Sequence, residues 1–274
     1  MTSPIPTPGA ATDDAGHPPV AIVTGGGSGI GAAIAAQWTS HGGQILVTDV
    51  DQDAARAVAD GLGEAAIDRR VDVRCEDDIV EAVDAALEKF GRVDAVFANA
   101  GATGVTGSIE TTTRADWDDT LELLLTGNYL TIKHAVRAMR PLGRGSIVVT
   151  GSVAGVHGGL GPHAYTAAKH ALRGLVESVA VEISPSGLRI NGVAPGGVAT
   201  ALSTRLVGGD QAAALARLVS RSSAGIATTA DDVAAAAVFL AGPGARRING
   251  ATLVIDGGDA VLPHAGLPFY QDPA

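Results

Sequence analysis

The chain has 274 residues, 46% hydrophobic, 18% charged and only 3% aromatic, enough to bury one substantial core filled mainly by Ala, Val, Leu and Ile. A net charge of −10 with no basic stripe speaks against nucleic acid as a partner, and no run of eighteen apolar residues is present to span a membrane. Cys75 is the only cysteine, which excludes an intrachain disulfide and fits a reducing, cytoplasmic setting. Residues 1–18 are rich in Pro, Thr, Ala and Asp, lack the basic start and apolar stretch of a signal peptide, and read as a mobile arm before a domain over 19–259. Val20 to Thr24 is a short β-branched apolar run, followed by glycines and by the helical pattern of Ile30 to Trp38: a strand, a tight turn and a helix. Gly25 and Gly29 let the backbone turn and approach a pyrophosphate, Gly31 permits close helix packing, and the helix N-terminus offers N–H groups to an anion. The spacing is G-x-x-x-G-x-G, not the commoner G-x-G-x-x-G, so a plain glycine turn stands as the alternative.

The next apolar run, Gln44 to Val50, carries Asp49 near its end. A carboxylate there accepts hydrogen bonds from both ribose hydroxyls of an adenosine and repels a 2′-phosphate. No Arg or Lys lies in the loop or just after Asp49, so the expected cofactor is NAD(H) and not NADP(H). The alternative is an aspartate capping the helix that begins near Asp51. Further runs at Ala66 to Val73, Asp94 to Ala98, Ser146 to Thr150, Arg189 to Val193 and Thr252 to Ile255 are separated by helical stretches long enough for right-handed crossovers. The predicted fold is α/β: a single-domain, doubly wound parallel sheet of the Rossmann type with helices on both faces. Gly25, Asp49, Asn99, Ser152 and Pro195 all follow or end predicted strands, the sheet edge at which such folds bind ligands. Cys75, after Asp72-Val73-Arg74, reads as inert, and His157, His163 and His170 are scattered without metal-ligand spacing.

Tyr165 and Lys169 in YTAAK share one helix face, so the ammonium can stand beside the phenol and favour its ionised form. That matters because a free phenol, with a pKa of about 10, is a poor base at neutral pH. Ser152 lies thirteen residues upstream of the tyrosine. Duller readings exist for each: a turn or cap serine, a packed helix aromatic, a solvated lysine.

Taken in order, TGGGSGIG (Thr24 to Gly31), Asp72-Val73, Asn99-Ala100-Gly101, Ser152 with Tyr165 and Lys169, and Pro195-Gly196 with Thr200 resemble the short-chain dehydrogenase/reductase family of the TGxxxGxG and YxxxK type, over about Val20 to Gly258. The resemblance implies that Gly25, Ser28, Gly29, Ile30 and Gly31 hold the cofactor's phosphates, that Asp72 and Val73 contact adenine, and that Asn99, Ala100 and Gly101 support the sheet beside the cofactor. It further implies that Pro195, Gly196, Val198 and Thr200 hold the nicotinamide end. Ser152 would hydrogen-bond the substrate oxygen, Tyr165 would transfer the proton, and Lys169 would hold the nicotinamide ribose while lowering the tyrosine pKa. A homotetramer or homodimer through the helices of Thr113 to Met139 and His163 to Ile183 is also implied.

One position departs from that pattern. Aligning Trp117 to Gly127 with the family's W…N-x-T-G segment puts Leu124 where the family carries a catalytic asparagine that helps hold a water linked to the lysine. A leucine side chain neither donates nor accepts a hydrogen bond. Either the backbone carbonyl of Leu124 still binds the water, or the side chain is essential and proton exchange takes another route; Asn128 one turn later is a candidate substitute and otherwise an ordinary polar helix residue.

For the substrate, the loop from Ala201 to Ser223 with Leu202, Leu206, Val207, Leu215 and Leu218, and a wall of Val156, Gly158, Gly159, Leu160 and Gly161, suggest a hydrophobic alcohol or ketone. The YTAAKH stretch resembles members acting on cyclic or terpenoid secondary alcohols, and Asp49 favours the oxidative direction. The runner-up is an NADH-dependent ketoreductase for 3-oxoacyl thioesters, against which stands the lack of a basic patch for a carrier's phosphates. From a different class comes an NAD(H)-binding protein that has lost useful catalysis at Leu124. The tail of residues 260–274, with Leu262, Leu267, Phe269 and Tyr270, is too apolar for a solvated end and is expected at a subunit interface or near an active site.

Overall fold

Val20–Thr24 (β1) is buried at all five positions, as a strand covered on both faces by helices must be. The same continuous apolar reading produces Gln44–Asp49 (β2), Ala95–Ala98 (β4), Gly145–Thr150 (β5) and Leu188–Pro195 (β6). Ala66–Arg70 (β3) and Thr252–Ile255 (β7) are the half-exposed edges. This computed structural model describes residues 16–198, 210–222 and 225–260. Within them one sheet runs in the order β3-β2-β1-β4-β5-β6-β7, with every adjacent pair parallel. Residues 1–15, Thr200, Leu202, Leu206, Val207 and the tail from residue 261 lie outside the described residues.

Strand alternation divides the core in two. Ala21, Val23, Ile45 and Val47 face Gly29–Ser40 (α1), Gln52–Leu62 (α2) and Ala230–Ala241 (α8). Ile22, Leu46, Val96 and Ile147 face Glu76–Phe90 (α3), Gly127–Met139 (α5) and His163–Ile183 (α6). Edge strand β3 carries Asp68, Arg69 and Arg70, charges that discourage pairing with another chain.

Two expected elements differ. The strand predicted to reach Val73 stops at Arg70: Val71 N–H still donates to the Asp49 carbonyl (2.8 Å), but Asp72 N–H turns to the Asp78 carboxylate (2.9 Å), which takes the chain off the ladder. The helix expected over Thr113 to Met139 is Arg114–Leu121 (α4), a π turn at Glu122–Thr126, and α5. Such a turn inserts one residue into the helical ladder and is common at functional sites. Among the described residues no helix is long and apolar enough to cross a membrane, and no group of three His, Cys, Asp or Glu could hold a metal.

Candidate active site

The glycine turn between β1 and α1 is fixed by contact as much as by conformation. Gly25 (φ +64°) and Gly29 (φ +52°) occupy the left-handed region that side chains rarely adopt. A Cβ on Gly25 would come within 2.8 Å of Ala100 Cα, and one on Gly31 would overlap the Gly25 carbonyl and stand 2.7 Å from Asn99 Nδ2. Helix α1 begins after Ser28 with no side-chain cap and no acid in its first turn, so its first N–H groups and positive dipole end are free to meet an anion. Gly31→Ala is therefore expected to cost about 1–3 kcal/mol of stability by overpacking and to raise the dissociation constant of a nicotinamide dinucleotide at least about tenfold, read by thermal melts and fluorescence titration.

Asp49 lies across the turn. Its Oδ2 accepts from Gly27 N–H (3.0 Å) and its Oδ1 from Asp51 N–H (3.1 Å), so the carboxylate is held against the glycine loop. The cap of α2 is Asp51, which accepts from Asp53 and Ala54 N–H; Asp49 does not cap that helix. Asp72 is gripped by Arg74 through Nε (2.9 Å) and Nη2 (2.6 Å), which holds its carboxyl below the usual range. Val73 is buried against Gly127. A cation that local reading overlooked stands in strand register with Asp49: Arg70, the last residue of β3.

Asn99 at the end of β4 ties the loop to the rest of the site. Its Nδ2 donates to the carbonyls of Thr24 (3.2 Å) and Gly25 (3.1 Å), and its Oδ1 accepts from Thr150 Oγ1 (3.0 Å). Asn99 and Ala100 N–H both donate to Thr24 Oγ1. Thr150, not singled out from the sequence, is a joint: its hydroxyl orients Asn99 while its carbonyl accepts from Lys169 Nζ at 2.7 Å. These partners are 19 and 51 residues away in the chain, so no local pattern marks them.

Ser152, Tyr165 and Lys169 meet beyond β5. Ser152 caps the turn Val153–Gly155 by accepting from Ala154 N–H (3.1 Å), so the turn-serine reading holds, and its hydroxyl lies close enough to the Tyr165 phenol to favour the phenolate. Lys169 is not a solvated residue: it is 4% exposed, with Nζ 5.6 Å from the Tyr165 ring centroid. Burial pulls its ammonium from 10.5 down to about 8. Burial likewise pushes the Tyr165 phenol above its ordinary value, with Ser152 partly offsetting this, so burial outweighs the lowering expected from the lysine. Small residues permit this packing: a Cβ on Gly155 would stand 2.5 Å from the Lys169 carbonyl oxygen, and one on Gly161 2.9 Å from Tyr165 Cδ1.

Leu124 is fully buried in the π turn. A Cβ built on Gly101 would meet Leu124 Cδ2 at 3.1 Å and Lys169 Nζ at 3.9 Å, so the isobutyl group and the ammonium border the same point. Asn128 is 2% exposed, and its Nδ2 donates to the Leu124 carbonyl at 2.7 Å. It is thus no ordinary surface polar residue. The carbonyl available for a water has one lone pair engaged by this amide, while Asn128 Oδ1 is buried with no partner among the described residues.

Pro195 closes β6, and Gly196 N–H donates to the Ile255 carbonyl (2.9 Å). Gly196 lies on Asp256, whose carboxylate holds the following turn through Gly258 (2.8 Å) and Ala260 N–H (2.7 Å). Val198 is buried and bridges to Thr228. Helix Gln211–Arg221 (α7) covers this segment, with Leu218 seated where a Cβ on Gly197 would be; Leu215, by contrast, is exposed. On the outer side Val156 and Leu160 stay partly or largely open.

The cradle fits a dinucleotide. Gly25 and Gly31 let the turn close against Ala100 and Asn99 with no side chain in the way, a helix N-terminus points at the loop, and a fixed carboxylate closes one side. Comparison with known proteins points the same way. Residues 25–259 match a family model described as enoyl-(acyl carrier protein) reductase. The chain is 39% identical over 258 residues to momilactone A synthase of Oryza sativa subsp. japonica, covering 92% of this chain and 93% of that protein. It is 37% identical over 256 residues to (+)-borneol dehydrogenase 2 of Salvia officinalis, covering 90% of each. Among solved structures, 3-ketoacyl-(acyl-carrier-protein) reductase from Brucella melitensis complexed with NADH superposes with a TM-score of 0.82 at 27% identity, covering 89% of this chain and 99% of that one. With its ordered motifs meeting at one edge of a seven-stranded parallel sheet, the chain belongs to the short-chain dehydrogenase/reductase family, a family of oxidoreductases.

Proposed function

We propose that the protein is an NAD(H)-dependent oxidoreductase that interconverts a hydrophobic secondary alcohol, cyclic or terpenoid in type, and its ketone. The observation that carries this is the meeting of Ser152, Tyr165 and Lys169 beside the Asn99-braced glycine cradle that Asp49 closes. When bound, the nicotinamide supplies the hydride acceptor or donor and, when oxidised, a positive charge. Gly25 to Gly31 would hold the pyrophosphate, Asp49 the adenosine ribose, and Pro195, Gly196 and Val198 the nicotinamide end. Ser152 orients the substrate oxygen, and Tyr165 takes its proton in oxidation and returns it in reduction. Lys169 has one donor on Thr150, leaving two for the nicotinamide ribose. Partly open Val156 and Leu160 supply an apolar wall, and the relative named for borneol supports an alcohol of this kind.

Asp49 carries the cofactor choice. NADH is expected to bind at least about tenfold tighter than NADPH, and Asp49→Ser to narrow that gap, both read by fluorescence titration. A lower dissociation constant for NADPH in the natural protein would overturn the NAD(H) reading. A screen of cyclic, aromatic and terpenoid secondary alcohols for NAD+ reduction tests the substrate class. An NADH-dependent ketoreductase acting on 3-oxoacyl thioesters is the second reading, favoured by the NADH-complexed structural neighbour. Assembly as a homotetramer or homodimer through the helices of Thr113 to Met139 and His163 to Ile183 belongs to the same proposal.

A further inference from the structure

Residues in register on adjacent parallel strands project to the same sheet face about 4.8 Å apart, so Arg70 and Asp49 leave β3 and β2 side by side. Left to itself, the Arg70 guanidinium would find either the Asp49 carboxylate or a phosphate placed on the ribose that Asp49 marks. It reaches neither. Arg70 Nη1 pairs with Asp78 Oδ2 at 3.3 Å, across the end of the strand on the first turn of α3. The same Asp78 oxygen accepts from Asp72 N–H at 2.9 Å, and a helix N-terminus favours a carboxylate there.

We propose that Asp78 is a positioning residue for cofactor selection: by holding the Arg70 guanidinium on the α3 side, it leaves the ribose edge to the uncompensated Asp49 carboxylate and withholds the cation a 2′-phosphate would need. The inference rests on the NAD(H) reading above. Discrimination then has two parts. Asp49 repels the phosphate, and Asp78 sequesters the cation that strand register supplies for it. The Arg70–Asp78 pair is partly exposed, with side chains 55% and 25% accessible, so the second part is the smaller and shows as a several-fold effect.

The test measures NADH and NADPH dissociation constants for the natural protein, Asp78→Asn, Asp49→Ser and the double variant, with thermal melts to verify folding. Asn at position 78 keeps an acceptor for Asp72 N–H while losing its charge. Asp78→Asn is expected to shift the NADPH-to-NADH ratio about fivefold toward NADPH. The double variant is expected to shift it beyond the product of the single effects, because Arg70 is then free and Asp49 no longer competes for it. Arg70→Ala in the Asp78→Asn background is expected to abolish the gain. An unchanged ratio in Asp78→Asn, or a gain that survives Arg70→Ala, overturns the proposal. Tighter NADPH binding by the natural protein would refute the NAD(H) reading alone, since the shift caused by Asp78→Asn is measured relative to that starting ratio.

Discussion

Replacing Tyr165 by Phe is expected to lower turnover by about 10²–10⁴-fold while NADH affinity stays within about twofold. Phe keeps the ring under the Lys169 ammonium and the contact with Gly161, and loses only the phenolic oxygen. Because burial raises the phenol in the unliganded protein, its ionisation should be seen only above the ordinary phenol range of about 10 by ultraviolet titration. Alcohol oxidation, which needs the phenolate, should gain rate with rising pH, whereas ketone reduction, which needs the phenol, should not. Steady-state kinetics with a parallel NADH titration check both parts. Turnover retained in Tyr165→Phe would remove the tyrosine from the chemistry.

Lys169→Met is expected to separate function from stability. Lys169 is 4% exposed, burial alone lowers its ammonium to about 8, and among the described residues Nζ donates to the Thr150 carbonyl. Moving that pKa from 10.5 to about 8 corresponds to a charge-burial penalty on the order of 3 kcal/mol, which Met avoids at similar volume. Against this stands the Thr150 carbonyl left without a partner, at about 1–3 kcal/mol. The variant should thus match or slightly exceed the natural protein in stability at neutral pH while losing turnover by about 10²-fold or more. The sign with pH is definite. The unfolded lysine binds more protons than the folded one between about 8 and 10.5, so the natural protein gains stability relative to Lys169→Met as pH rises through that window. Denaturant melts at several pH values, with kinetics, check this. A variant that unfolds easily yet stays active would make Lys169 a structural residue.

Much of the architecture was legible because strands buried on both faces must be continuously apolar and helices carry their own periodicity. Val20 to Thr24, Thr252 to Ile255 and the helix from His163 to Ile183 stand where their patterns predict. Local spacing also put Tyr165 beside Lys169, since four residues is one helical turn. Spacing could not say whether that lysine is wet or dry. Its burial depends on α6 crossing the Val153–Gly155 turn, and burial sets both pKa directions.

By itself, then, the sequence determined the α/β order of elements, the glycine turn after the first strand, and the residue types available at the carboxyl edge of the sheet. Tertiary structure alone decided their partners. It gave the helix cap to Asp51 and left Asp49 to the glycine loop. It joined Thr150 to both Asn99 and Lys169. It set Asn128 on the Leu124 carbonyl in a π turn that helical periodicity did not foretell. It brought Arg70 into register with Asp49 and then turned it to Asp78. The reason is physical: hydrophobic period and turn chemistry act over a few residues, whereas hydrogen bonds and burial at a sheet edge depend on which strands become neighbours.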